Sequence, residues 1–319
     1  MPGGHAQTIW PALCGQAIQG PAPQFERERW ITPDADFIDV DFLMSSAPPQ
    51  APTLVLFHGL EGSSASHYAQ SFASWALKTQ VHLALPHFRG CSGELNLAPR
   101  AYHSGDHEEI DWILKRVQKR QGPHLPLLAA GVSLGGNALM RWAGEHGTDA
   151  AQTVRALASI CSPLDLAASG QAIGRGFNRQ VYTRMFLRSM KPKALAKLAQ
   201  HPGLFDPHAL LRAKDLYTFD NIFTAPVHGF IDTEDYWARA SAKPVMQDIA
   251  VPALALNAQN DPFIPAHSLP QVQSVSRHVE LWQPAHGGHV GFATGPVPGY
   301  LASLPQAVGG WLLEKAHHG

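Results

Sequence analysis

Residues 127–140 read LLAAGVSLGGNALM, and no other stretch restricts the architecture of this 319-residue chain so tightly. An apolar run (Leu127, Leu128, Ala129, Ala130) enters Gly131-Val132-Ser133-Leu134-Gly135, and a helix-compatible run over 137–143 leaves it. A buried strand, G-x-S-x-G and then a helix describe a turn so sharp that the serine stands strained at its apex. Side chains at Gly131 and Gly135 would collide with neighbouring backbone, and Gly136 extends the turn. The helix aims its first N–H groups and positive dipole end at the serine, where an anion develops during acyl transfer. A glycine-rich junction that merely packs closely would use the same residues, so the motif needs support from the rest of the chain.

That support comes from the order of elements. Residues 53–57 (TLVLF), 81–85, 154–160 and 251–257 are short apolar runs, the pattern of strands buried on both faces. Residues 27–32 and 37–43 alternate as strands joined through Pro33-Asp34-Ala35-Asp36, and 278–282 supplies the last strand. Helices are expected at 66–78, 300–315 and 106–119, where Ile110, Ile113, Leu114 and Val117 form one apolar face. Residues 164–243 carry helix-like segments and little that resembles a strand. The expectation is an α/β fold, a mostly parallel sheet with helices on both faces and a helical cap insertion. Its core would occupy 1–163 and 244–319, with an irregular Pro/Gly-rich arm over 1–24, and its cap 164–243.

Composition excludes several classes. Lys+Arg 24 against Asp+Glu 25 leaves no global attraction to nucleic acid. Cys14, Cys91 and Cys161 are widely spaced without a C-x-x-C, which argues against a disulfide framework or zinc site and for a reducing compartment. The opening MPGGHAQTIWPAL has no basic n-region and apolar h-region, and no apolar run approaches the ~20 residues of a spanning helix. The expectation is a cytoplasmic protein with no cofactor or metal. The histidines lack H-E-x-x-H spacing, and His317-His318 reads as a solvated tail.

A serine hydroxyl needs a base to take its proton, and the base needs an acceptor to fix its tautomer. Asp261 follows the strand ending at Asn257, held by prolines in Asn260-Asp261-Pro262-Phe263-Ile264-Pro265 at the carboxyl end of the sheet. Asp248 precedes its strand, and Asp232 and Asp235 fall in the insertion as solvated or capping residues. The base is His286 or His289. Gly287-Gly288 favours His289, leaving His286 as a strand-end residue bonded to backbone; a two-histidine metal site lacks a third ligand. For the oxyanion, the Leu134 N–H follows the nucleophile directly, and Leu60 in His58-Gly59-Leu60 offers the second donor. Cys91 has no base or helix N-terminus beside it to make it a nucleophile. Tyr102-His103-Ser104-Gly105 reads as a cap for the following helix.

HGLEGSSASHY (58–68), FRGCSGELN (88–96), YHSG (102–105), GVSLGGN (131–137), FDNIFTAPVHGF (219–230), NDPFIP (260–265) and HGGHVGF (286–292) together resemble the YheT-like α/β-hydrolases. These are relatives of the yeast medium-chain fatty acid ethyl ester synthase/esterases and of mammalian ABHD proteins. GGHAQTIWPAL is similar to that family's opening HxQT segment. The resemblance implies a carboxylic ester hydrolase with Ser133, Asp261 and His289 as triad, and short- to medium-chain acyl esters are the expected substrates. Acyl transfer to an alcohol, thioester hydrolysis, and a silent hydrolase-fold binding module are the other readings. Over 175–197 the cations Arg175, Arg179, Arg184, Arg188, Lys191, Lys193 and Lys197 interleave with apolar residues without an acid. This segment suits a lid resting on anionic lipid; alternatively its cations pair elsewhere or are solvated. Because the base must be neutral, turnover should show an acidic limb within about one unit of histidine's reference value near 6.5. A flat pH–rate profile from about pH 5 to 8 would contradict a histidine base.

Overall fold

The computed structural model describes residues 2–318. Strands β1 (Phe25–Ile31), β2 (Phe37–Leu43), β3 (Thr53–Phe57), β4 (His82–Pro86), β5 (Leu127–Val132), β6 (Ala156–Ile160), β7 (Ala253–Leu256) and β8 (Val279–Trp282) form one sheet. Their order is β1-β2-β4-β3-β5-β6-β7-β8, antiparallel through β1, β2 and β4 and parallel from β4 onward. Every residue of β3 and β5 is buried, as their unbroken apolar runs require.

The two-residue period of β3 divides the core. Val55 and Phe57 pack with Ile110, Ile113 and Leu114 and with Trp142, while Leu54 and Leu56 pack with Phe72, Trp75 and Trp311. Those partners lie on α2 (His67–Thr79), α3 (His107–Gln121), α4 (Leu134–His146) and the C-terminal helix Ser303–His318. Each fully buried Leu or Phe contributes about 1.5–3 kcal/mol relative to exposure, so either face left uncovered would unfold the sheet. His317 belongs to the C-terminal helix and is exposed, so the expected tail is helical.

Residues 1–24 depart from expectation, for Gly3–Cys14 form a helix, α1, rather than an irregular arm. Two glycines and Pro11 make the stretch a poor helix on propensity. Its stability comes from tertiary contacts, described below.

Between β6 and β7 the described residues are helical or irregular. They include α5 (Leu166–Ile173), α6 (Gly176–Asn178), α7 (Arg184–Gln200), α8 (Pro207–Arg212), α9 (Leu216–Phe219), α10 (Ala225–Val227) and α11 (Thr233–Ala240). Single π turns at Arg179–Thr183 and Asp220–Thr224 join α6 to α7 and α9 to α10. Asn137, fully buried on α4, holds this layer to the core. Its amide donates to Ser104 O, Ser104 Oγ and Ala240 O and accepts from Ala242 N.

Candidate active site

The parallel strands all end on the same edge, and the loops leaving β3, β5, β6, β7 and β8 meet there. Ser133 stands between β5 and α4 with φ 53° and ψ −119°, a conformation that costs a non-glycine residue about 1–3 kcal/mol. Close packing enforces it. A Cβ on Gly131 would lie 2.5 Å from Gly135 O, one on Gly135 2.5 Å from His58 O, and one on Gly136 2.0 Å from Ser162 Oγ. Glu61, Cys161, Val290 and Phe292 also have positive φ, so strain collects in the loops around Ser133.

Three side chains from separate loops form a continuous chain of hydrogen bonds. Ser133 Oγ lies 3.0 Å from His289 Nε2, and His289 Nδ1 lies 2.8 Å from Asp261 Oδ2. With Nδ1–H donating to the carboxylate, Nε2 carries the lone pair that accepts the serine proton. The Asp261 side chain is fully buried, and its other oxygen accepts from Phe263 N at 2.8 Å. His286 is exposed, with Nδ1 3.5 Å from the Asn260 amide and no side-chain bond to backbone among the described residues, so it is not the strand-end anchor expected. Asp248 is exposed before β7, at the opposite end of the sheet, Asp232 caps α11, and Asp235 pairs with Arg239.

The loop after β3 is clamped on either side of Leu60. Tyr68 Oη accepts from Gly59 N at 2.8 Å, and Tyr102 Oη accepts from Glu61 N at 2.9 Å while donating to Glu61 Oε1. Lys193 of α7 pairs with Glu61 Oε2 at 2.9 Å. The Leu60 N–H is the one these clamps leave uncommitted, and Leu60, Leu134, Ser133 and His289 line the same cleft. Gly59 sits against Ser133, where a Cβ would come within 3.2 Å of the serine Cβ. His58 is structural. Its Nδ1–H donates to Gly59 O and its Nε2 accepts from Phe88 N, while complete burial drives its pKa down to about 3.

Residues 102–105 do not cap α3. Tyr102 holds the Glu61 loop, Ser104 lines the cleft and bonds Asn137, and Asp106 takes the N-cap position, paired with Arg100. Cys91 is no alternative nucleophile, because burial raises its thiol to about 11. No cluster of metal-ligating side chains occurs among the described residues. No helix among them is long and apolar enough to cross a membrane.

Sequence reasoning missed what holds the histidine loop. Gln7 Oε1 accepts from Gly287 N at 2.8 Å and from the Asn260 amide at 2.9 Å. Thr8 Oγ1 accepts from His289 N at 2.8 Å, and Asn260 Oδ1 accepts from Gly288 N at 3.0 Å. Thus α1 grips the backbone on both sides of Gly288. Gln7→Ala should lower kcat roughly 10- to 100-fold with little change in KM, since a misplaced base costs rate rather than substrate binding. Gln7→Glu keeps the acceptor and should retain most of the activity in the same steady-state assay.

A strained serine on a strand–helix turn, a histidine and a carboxylate after the last two strands, and this sheet order define an α/β-hydrolase. The match to the family model for the alpha/beta hydrolase fold covers residues 52–296, and the chain belongs to that family. Within it, YheT of Escherichia coli (strain K12) is 38% identical over 314 residues, spanning 97% of this chain and 89% of its own. The mouse phospholipase ABHD3 is 26% identical over 94% of this chain and 74% of its own, so the chain falls with the YheT-like members. Among solved structures, the Pyrococcus furiosus esterase Pf2001 aligns over 95% of this chain and 96% of its own, with TM-score 0.54 and 13% identity. Est1E from Butyrivibrio proteoclasticus aligns over 92% and 98%, with TM-score 0.55 and 14% identity. These two likenesses concern the fold.

Proposed function

We propose that the protein hydrolyses carboxylic esters through a covalent acyl-enzyme. The supporting observation is the unbroken Ser133–His289–Asp261 hydrogen-bond chain opening onto an apolar cleft. Ser133 Oγ attacks the ester carbonyl as its proton passes to His289 Nε2, and Asp261 stabilises the resulting imidazolium. The Leu60 and Leu134 N–H groups hold the oxyanion, helped by the N-terminus of α4. His289 then returns the proton to the departing alcohol oxygen as the C–O bond breaks. A water, deprotonated by the same histidine, then attacks the acyl carbon, and the imidazolium returns that proton to Ser133 Oγ as the Oγ–acyl bond breaks and the acid leaves.

The cleft has an empty volume of about 730 Å³, part of it open to solvent, with Leu166, Ile173, Phe186, Leu216 and Ile264 on its walls. This is the acyl site, of a size for short- to medium-chain groups. A second chamber meets it over Leu60, Leu134, Met190, Asp220 and Tyr236 and is lined by Tyr102, His103, Lys193 and Lys197. These polar groups, set among apolar wall from Leu95, Ala101, Phe219 and Phe223, suit the alcohol part of the ester.

The test is a series of p-nitrophenyl esters from acetyl to dodecanoyl. Turnover of at least the shorter members is expected, with kcat/KM rising while added methylenes find apolar wall. Absence of turnover across the whole series would leave a hydrolase-fold binding module. Ethanol competing with water for the acyl group would separate alcoholysis from hydrolysis.

A further inference from the structure

The cap has an outer face that the ester chemistry does not use. Helices α6 and α7, with the π turn between them, run continuously over residues 176–200. Phe177, Val181, Arg184, Met185 and Arg188 recur at helical spacing along one side, and all five are exposed, Phe177 by 53% and Met185 by 55%. Exposed Arg175 precedes the first turn, and half-buried Arg179, two residues from both Phe177 and Val181, falls on the other side of the helix.

The seven cations of this segment meet two fates. Lys191 donates to Leu211 O and Ala213 O, Lys193 pairs with Glu61, and buried Lys197 donates to Asn96 O and Gln200 Oε1. No side-chain partner satisfies Arg175, Arg179, Arg184 or Arg188 among the described residues. No acid occurs between Asp165 and Asp206 to neutralise them. On the exposed row, two like charges interleaved with three large apolar side chains in water gain nothing from one another.

We propose that this face docks on an anionic phospholipid bilayer. The arginines would meet lipid phosphates while Phe177, Val181 and Met185 enter the boundary between headgroups and acyl chains. A soluble polyanion would satisfy the arginines and leave the apolar row in water. The whole chain carries a formal charge of −1, so attraction to such a surface has to come from a local patch. The location agrees with the proposed ester chemistry, on which the choice of partner rests. Phe186 and Met190 of the same helix, with Ile173 of α5, turn inward to line the acyl cleft, so docking sets the cleft roof against the layer that holds acyl esters.

The experiment is co-sedimentation of the full chain with phosphatidylcholine vesicles, with and without a quarter of phosphatidylglycerol. Binding is expected to the anionic vesicles only, and to weaken with salt. Arg184→Gln combined with Arg188→Gln should reduce partitioning roughly 30-fold, the equivalent of about 1 kcal/mol per arginine. Val181→Ser with Met185→Ser should also reduce it several-fold. Both double variants should hydrolyse water-soluble p-nitrophenyl acetate as the parent does. Failure to bind anionic vesicles, or binding indifferent to these substitutions, overturns the proposal. Heparin competing fully, with no effect of the serine pair, would also overturn it and assign the face to a soluble polyanion. Ser133→Ala should bind vesicles like the parent, so docking and ester chemistry stand or fall separately.

Discussion

Ser133→Ala is expected to reduce kcat on the order of 10⁵–10⁶-fold and to abolish labelling by a fluorophosphonate probe. The substitution removes one oxygen and little else. Alanine and serine are equally disfavoured at φ 53°, so the strain in the turn is unchanged and the fold should survive. What disappears is the atom 3.0 Å from His289 Nε2, the proposed nucleophile that would bond covalently to the acyl carbon. Residual turnover would come from the oxyanion donors and cleft alone, roughly 10³–10⁴ over water. Labelling that persists in the variant would remove Ser133 from the chemistry. Ser133→Gly should be as inactive and yet more stable. It releases about 1–3 kcal/mol of strain, against the roughly 0.5–1 kcal/mol that glycine's chain freedom costs. A chemical-denaturation midpoint above that of the parent is the measurement.

The central strands were legible because they are buried on both faces, which leaves apolar runs such as TLVLF too short for helices. Asp261 could be found because chain order and strand polarity put it at the carboxyl edge, and His289 because two glycines precede it. The role of α1 could not be read. Its partners lie about 280 residues away in sequence, and its own composition argues against a helix. Tyr68 and Tyr102 were hidden although their partners are nearer in sequence, since a hydroxyl that accepts from a loop N–H carries no sequence signature. In 175–197 the sequence shows seven cations alike. Only the fold separates lysines whose flexible stems reach carbonyls and a carboxylate from arginines left outside.

Asp261→Asn should lower kcat roughly 10⁴-fold, about 5–6 kcal/mol of transition-state stabilisation, while the protein remains folded. The carboxylate has two duties, accepting from His289 Nδ1–H with one oxygen and from Phe263 N–H with the other. Asparagine has a single acceptor oxygen. If that oxygen stays on Phe263 N, the amide NH₂ faces Nδ1 and selects the tautomer with its proton on Nε2. That nitrogen can then only donate to Ser133 Oγ, and the base is lost. If the amide turns the other way, the tautomer is kept but the Phe263 N–H is left buried without an acceptor, at a cost of about 1–3 kcal/mol. Since the loop bearing Phe263 also forms a wall of the cleft, either outcome registers in kcat. Asp261 itself does not line the cleft, so KM should stay within about threefold of the parent while the fluorophosphonate reaction slows in step with kcat. Activity within about tenfold of the parent would show that the histidine keeps its tautomer without a carboxylate. The base would then have to be oriented by the α1 grip on its backbone alone.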